Sequence, residues 1–102
     1  MVIRVADLVG AADTSEHGVR VHEALVIAMR QGGAVTISFD GIASATSSFV
    51  NAAFVDLLDD YSFDDIKTRV RIVESARQIN AMIRARLSFE ASRPGLAPRL
   101  SA

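Results

Sequence analysis

The chain has 102 residues, half of them hydrophobic, with 11 basic and 12 acidic side chains, a formal net charge of −1 and no cysteine. A chain of this length buries about two thirds of the surface its unfolded form exposes, enough for one core and too little for two domains. The missing cysteine excludes disulfide scaffolds, thiolate metal sites and thiol nucleophiles, and the absence of a basic surplus argues against nucleic-acid binding, which draws on phosphate neutralisation.

Val2, Ile3 and Val5 predict a first strand. Asp7, Gly10 and Asp13 interrupt it before an apolar run of signal-peptide length develops, and the longest apolar run, Ala24 to Met29, is far below the ~20 residues of a membrane span. A cytoplasmic protein with no membrane attachment is expected. Thr14 or Ser15 can cap a helix running to about Gln31, with Val19, His22, Leu25, Val26 and Met29 as its apolar stripe and Gly18 weakening its first turn. Gly32-Gly33 ends it, because glycine takes the left-handed backbone that follows many helices without steric cost.

From Ala34 to Phe39 the period becomes two: Val35, Ile37 and Phe39 point one way and Thr36, Ser38 and Asp40 the other. Asp40-Gly41 turns this strand into a small polar loop, Ser44 to Ser48. Val50, Ala53, Phe54, Leu57, Leu58 and Tyr61 then form one unbroken helical stripe. A third strand is expected at Arg69 to Val73, with Val70 and Ile72 facing inward, and a third helix from about Ala76 to Leu87 with Ile79, Met82, Ile83 and Leu87 on its apolar face. Beyond Ser88 the pattern stops, so residues 88–102, with Pro94-Gly95 and Pro98, read as an irregular tail after a domain of residues 1–87.

Charge is divided along the chain. Residues 1–65 carry three basic and ten acidic groups, a net −7, and residues 66–102 carry eight basic and two acidic groups, a net +6. The simplest account places the later arginines against the earlier acids within one molecule; the alternative is head-to-tail homo-oligomers steered by complementary fields.

No catalytic, metal or cofactor motif emerges. His17 and His22 are five apart, which turns one ring about 140° from the other on a helix, so a shared metal is not expected. His22 falls on the apolar stripe as a hydrogen-bonded, partly buried histidine. No phosphate-binding glycine loop and no nucleophile elbow is present, and a noncatalytic protein is expected.

One segment stands apart. Asp40-Gly41-Ile42-Ala43-Ser44-Ala45-Thr46-Ser47-Ser48-Phe49 sets three consecutive hydroxyls where a strand passes into a helix. Either Thr46 or Ser47 is simply the N-cap of that helix, or an exposed hydroxyl there is a modification site where phosphorylation would add about two charges. An anion seated on free helix amides is a third reading.

This run, continued by Asn51-Ala52-Ala53-Phe54, resembles the STAS-like domain of unknown function, a family related to the STAS domains of anti-sigma factor antagonists. The resemblance spans about Val2 to Leu87. It implies a small α/β sandwich: a three- or four-stranded, mainly parallel sheet with about three helices, joined by right-handed crossovers. In the antagonists the corresponding loop reads Asp-Ser-Ser-Gly and its first serine is phosphorylated by an anti-sigma kinase. Ser47 takes that serine's position and Ser48 the next, whereas Thr46 replaces Asp and Phe49 replaces Gly. The resemblance thus implies a regulatory protein-interaction module whose partner is a histidine-kinase-like ATPase. Its expected contact residues are Ser44, Thr46, Ser47, Ser48, Phe49 and Asn51, with Ser47 as the phosphorylation site, and Phe49 is expected to pack beneath the loop.

Overall fold

The computed structural model describes residues 2–92, in which three short strands alternate with helices. In chain order these are β1 (Val2–Arg4), α1 (Val5–Leu8), α2 (Ser15–Arg30), β2 (Val35–Ser38), α3 (Ser47–Ala53), a 3-10 turn (Val55–Asp59), α4 (Phe63–Arg69), β3 (Val70–Val73) and α5 (Arg77–Ala91). The strands pair in parallel in the order β1-β2-β3, so the fold is α/β, as expected. The short helices α1 and α4 add to the three that were predicted.

Register explains which face holds the core. Ile3, Ile37 and Ile72 lie side by side across the sheet and face the helices. The next row, Val2, Thr36 and Arg71, faces away, and Val2 is two-thirds exposed. The sheet is therefore covered on one face. Behind the covered face Phe39, Phe49 and Phe54 form the aromatic centre. Phe49 meets Phe39 edge-on, with centroids 6.4 Å apart and planes at 78°, while Phe54 stacks on Phe39 at 6.3 Å. Such pairs add directional contact to the apolar area they bury.

Helix α2 is placed as predicted but turned differently. Thr14 caps it, its side chain accepting from the His17 N–H at 3.1 Å. The buried residues are Gly18, Val21, Leu25, Ala28 and Met29, whereas Val19, expected in the stripe, is nearly half exposed. The cause is Gly18. A methyl group there would lie 2.5 Å from the Phe49 carbonyl oxygen and 2.7 Å from the Ala52 Cβ, so α2 and α3 touch almost backbone to backbone. The helix rotates to present its small residues. After it, Gly32 and Gly33 both adopt positive φ, 84° and 77°, which closes the turn into β2. The far end of α2 is held by Arg69, whose guanidinium donates to the Met29 carbonyl at 2.6 Å and the Gly33 carbonyl at 3.0 Å.

The stripe from Val50 to Tyr61 is not one helix. It breaks at Phe54 and continues as the 3-10 turn, yet Val50, Ala53, Phe54 and Leu57 are all fully buried, because three-residue spacing suits either helix type. The acidic stretch between that turn and β3 contains α4. Ser62 caps it by accepting from the Asp65 N–H at 3.1 Å, with Asp64 and Asp65 in the first turn and Lys67 and Arg69 in the last. That charge order follows the helix dipole. At the C-terminal end, α5 runs to Ala91, past the expected boundary at Leu87. Polar contacts carry it where the apolar stripe stops: Arg86 bridges to Glu90 at 2.9 Å and Ser92 donates to the Ser88 carbonyl at 2.7 Å. The rest of the expected tail, residues 93–102, lies outside the described residues.

Candidate functional site

The loop from Phe39 to Thr46 is fixed by its own sequence. Gly41 takes φ 86°, which lets the Ile42 N–H reach the Phe39 carbonyl at 2.8 Å and close the turn. Ile42 and Ala45 point inward, while Ala43 and Ser44 between them are exposed. Ala45 pairs with Ala12 in an isolated parallel bridge, and the Thr46 N–H donates to the Ala12 carbonyl at 3.0 Å. The β2–α3 loop is thus stitched to the segment that leads into α2.

Of the three consecutive hydroxyls, Thr46 is the N-cap. Its oxygen accepts from the Phe49 N–H at 3.2 Å, and its hydroxyl donates to the Asp13 carbonyl at 3.0 Å. Both of its hydrogen-bonding roles are used inside the protein. Ser47 and Ser48 are exposed, and neither side chain has a hydrogen-bond partner among the described residues. Ser44 is exposed as well.

Two of the expected contact residues point elsewhere. Phe49 is fully buried in the aromatic centre, so its ring packs beneath the loop and is not available as a partner contact. Asn51 faces α5, where its Oδ1 accepts from Arg86 Nε at 2.9 Å. Helix periodicity accounts for Phe49, which lies opposite the Ser47–Ser48 arc of α3, whereas Asn51 follows Ser47 by one turn on the same arc and is drawn toward α5 by Arg86.

The histidines also have separate partners. His17 Nδ1 lies 3.0 Å from Asp13 Oδ1 at the start of α2. His22 is partly buried, and its Nδ1 lies 3.4 Å from the Ala53 carbonyl, to which it donates in the Nδ1–H tautomer. Among the described residues no group of three or more metal-ligating side chains comes together, and no helix is long and apolar enough to cross a membrane.

A second polar cluster lies at the carboxyl ends of β2 and β3. Ser38, expected to face away from the core, is 4% exposed and is the one buried polar residue among those described. Its hydroxyl donates to Glu74 Oε1 at 3.2 Å and accepts from the Asp40 N–H at 3.2 Å. Glu74 has φ 52°, a left-handed conformation that costs a residue bearing a Cβ, and the bond to Ser38 helps hold it there. Arg4 reaches Asp40 at 3.4 Å and Asp7 at 3.8 Å. Nothing in the period-two pattern of β2 signals this cluster, because it depends on the backbone of Glu74.

Among the described residues the ion pairs do not join later arginines to earlier acids, and Arg93 and Arg99 of the expected set lie outside those residues. Arg4 pairs with Asp7 and Asp40, and Arg86 with Glu90, each within one half of the chain. Arg69 serves main-chain carbonyls and lies over the Tyr61 ring, and Lys67 lies over Phe63.

No curated protein and no solved structure matches the chain. The family model described as a STAS-like domain of unknown function matches residues 17–80, a span from the first turn of α2 through β3 into the first turn of α5 that contains the whole serine loop. The three-stranded parallel sheet with its helices fits that family, and the chain belongs to it.

Proposed function

We propose that the chain is a noncatalytic regulatory module that binds another protein through the exposed part of the Ser44–Ser48 loop, with Ser47 as a phosphorylation switch. Membership of a STAS-like family fits a regulatory protein-interaction role. The observation that carries the reading is the division of labour among the three hydroxyls. Thr46 is used for capping, whereas Ser47 and Ser48 stand exposed in the first turn of α3, behind a loop pinned at Ala45 and anchored by Phe49.

The departures from the antagonist loop support it too. Thr46 stands where the antagonists have Asp, and both residue types are good N-caps. Phe49 stands where they have Gly, and its ring goes to the core. The Phe49 difference falls beneath the surface that a partner would meet, while Thr46 is exposed and its hydroxyl is held by the cap. The partner implied by the resemblance is a histidine-kinase-like ATPase on another chain. Because the Ser47 hydroxyl has no partner among the described residues, a phosphoryl group there adds about two negative charges and breaks no internal contact.

The test is capture with wild type, Ser47→Ala and Ser47→Asp as baits at low and high salt, with mass spectrometry of the bait for phosphate. The expected result is one partner kept by wild type and Ser47→Ala and lost or exchanged by Ser47→Asp. Identical capture by all three defeats the switch. If the chain then self-associates and dissociates as salt rises, the alternative of homo-oligomers held by its divided charge replaces it.

A further inference from the structure

Helix α4, strand β3 and helix α5 enclose a cleft of about 630 Å³, within the range of small-molecule sites. Its floor is apolar and buried, built from Ile66, Ile83 and Leu87. Its walls are Phe63, Val70 and Ile72, three large apolar side chains left only partly covered. Two cations, Lys67 and Arg84, stand among the lining residues with the neutral polar groups of Asn80 and Ser88, and no carboxylate among the described residues lines the cleft. Arg84 has no hydrogen bond or ion pair among the described residues, whereas the Lys67 ammonium lies 5.3 Å from the Phe63 ring centroid.

We propose that this cleft binds a small amphipathic anion, a carboxylate carried on an aliphatic or aromatic body. The body lies against Val70, Ile72 and Ile83, where it completes the cover that the protein leaves open, and the carboxylate meets Arg84 and Lys67. A guanidinium suits this role because its planar donors match a carboxylate. The side chains of residues 93–102 are a poor occupant by charge, since the charged ones are Arg93 and Arg99. The site shares no residue with the serine loop, so it stands or falls separately from the switch.

The test titrates the isotope-labelled full chain with sodium decanoate and with decyltrimethylammonium, which has the same chain length and the opposite charge, and follows amide shifts by NMR. Decanoate should bind saturably and shift Ile66, Val70, Ile72 and Ile83, with the cationic analogue at least about tenfold weaker. Arg84→Gln, at an exposed position, should weaken decanoate about fivefold while leaving the circular dichroism unchanged. Ile72→Trp, which fills the cleft, should abolish binding, and a folded Arg84→Gln protein keeps the test valid if Ile72→Trp does not fold. Equal binding of the two detergents, shifts confined to other surfaces, or binding of an acidic leucine-glutamate peptide without binding of decanoate would each overturn the proposal.

Discussion

The two flanks of the molecule are closed in opposite ways. Between α2 and α3 the contact is made by small residues, Gly18 against Ala52 and Ala53, with the two preceding loops stitched together at Ala12, Ala45 and Thr46. Around α4, β3 and α5 the residues are larger, and Phe63, Val70 and Ile72 are left only partly covered beside a cleft. Small side chains let backbones approach and leave no gap, while large ones fill space only if a further element presses on them. Tight closure sits beside the serine loop, and spare apolar surface sits on the far flank.

Removing the same ring from each flank should have the most unequal effect. Phe49→Ala should cost about 3–5 kcal/mol in urea unfolding, as for a fully buried phenylalanine, and Phe63→Ala about 1–2 kcal/mol because its ring is already partly wet. Equal losses would mean that the cleft flank is as firmly packed as the other. The glycine contact gives a smaller contrast. Gly18→Ala places a methyl against main-chain atoms that cannot swing away and should cost about 1–3 kcal/mol despite better helix propensity. Gly10→Ala, with open space around it, should stay within about 0.5 kcal/mol. The smallest contrast lies within the hydroxyl triplet. Thr46→Ala removes a cap and a bond to Asp13 and should cost about 1–2 kcal/mol, whereas Ser47→Ala should stay within about 0.5 kcal/mol. A large loss at Ser47 would assign it a structural role and weaken the case for a switch.

The same contrast explains what could be read from the sequence. The period-two run of β2, the Thr14 cap and the Gly32-Gly33 stop are local signals, and each appears where it was expected. The rotation of α2 was hidden because a stripe read from bulky residues passes over Gly18 and Ala28, which are buried for being small. Helix α4 was hidden behind its acids, although Ser62 followed three residues later by Asp65 is a start signal, with basic residues at the far end. At the loop, the hydroxyl triplet was legible as a group. Which member caps and which stand free depends on Asp13, 33 residues away from Thr46, and no local pattern carries that. The turn of Asn51 toward Arg86 is equally long-range.

Strand order here follows chain order, with every pairing parallel. In a doubly wound sheet the winding reverses partway, and the reversal parts two adjacent loops into a slot where nucleotides settle. This sheet never reverses, so its successive loops run shoulder to shoulder, as Ala12 does against Ala45. Ser47 and Ser48 stand exposed beside that joined edge, so a phosphoryl group added there would sit next to two loops at once.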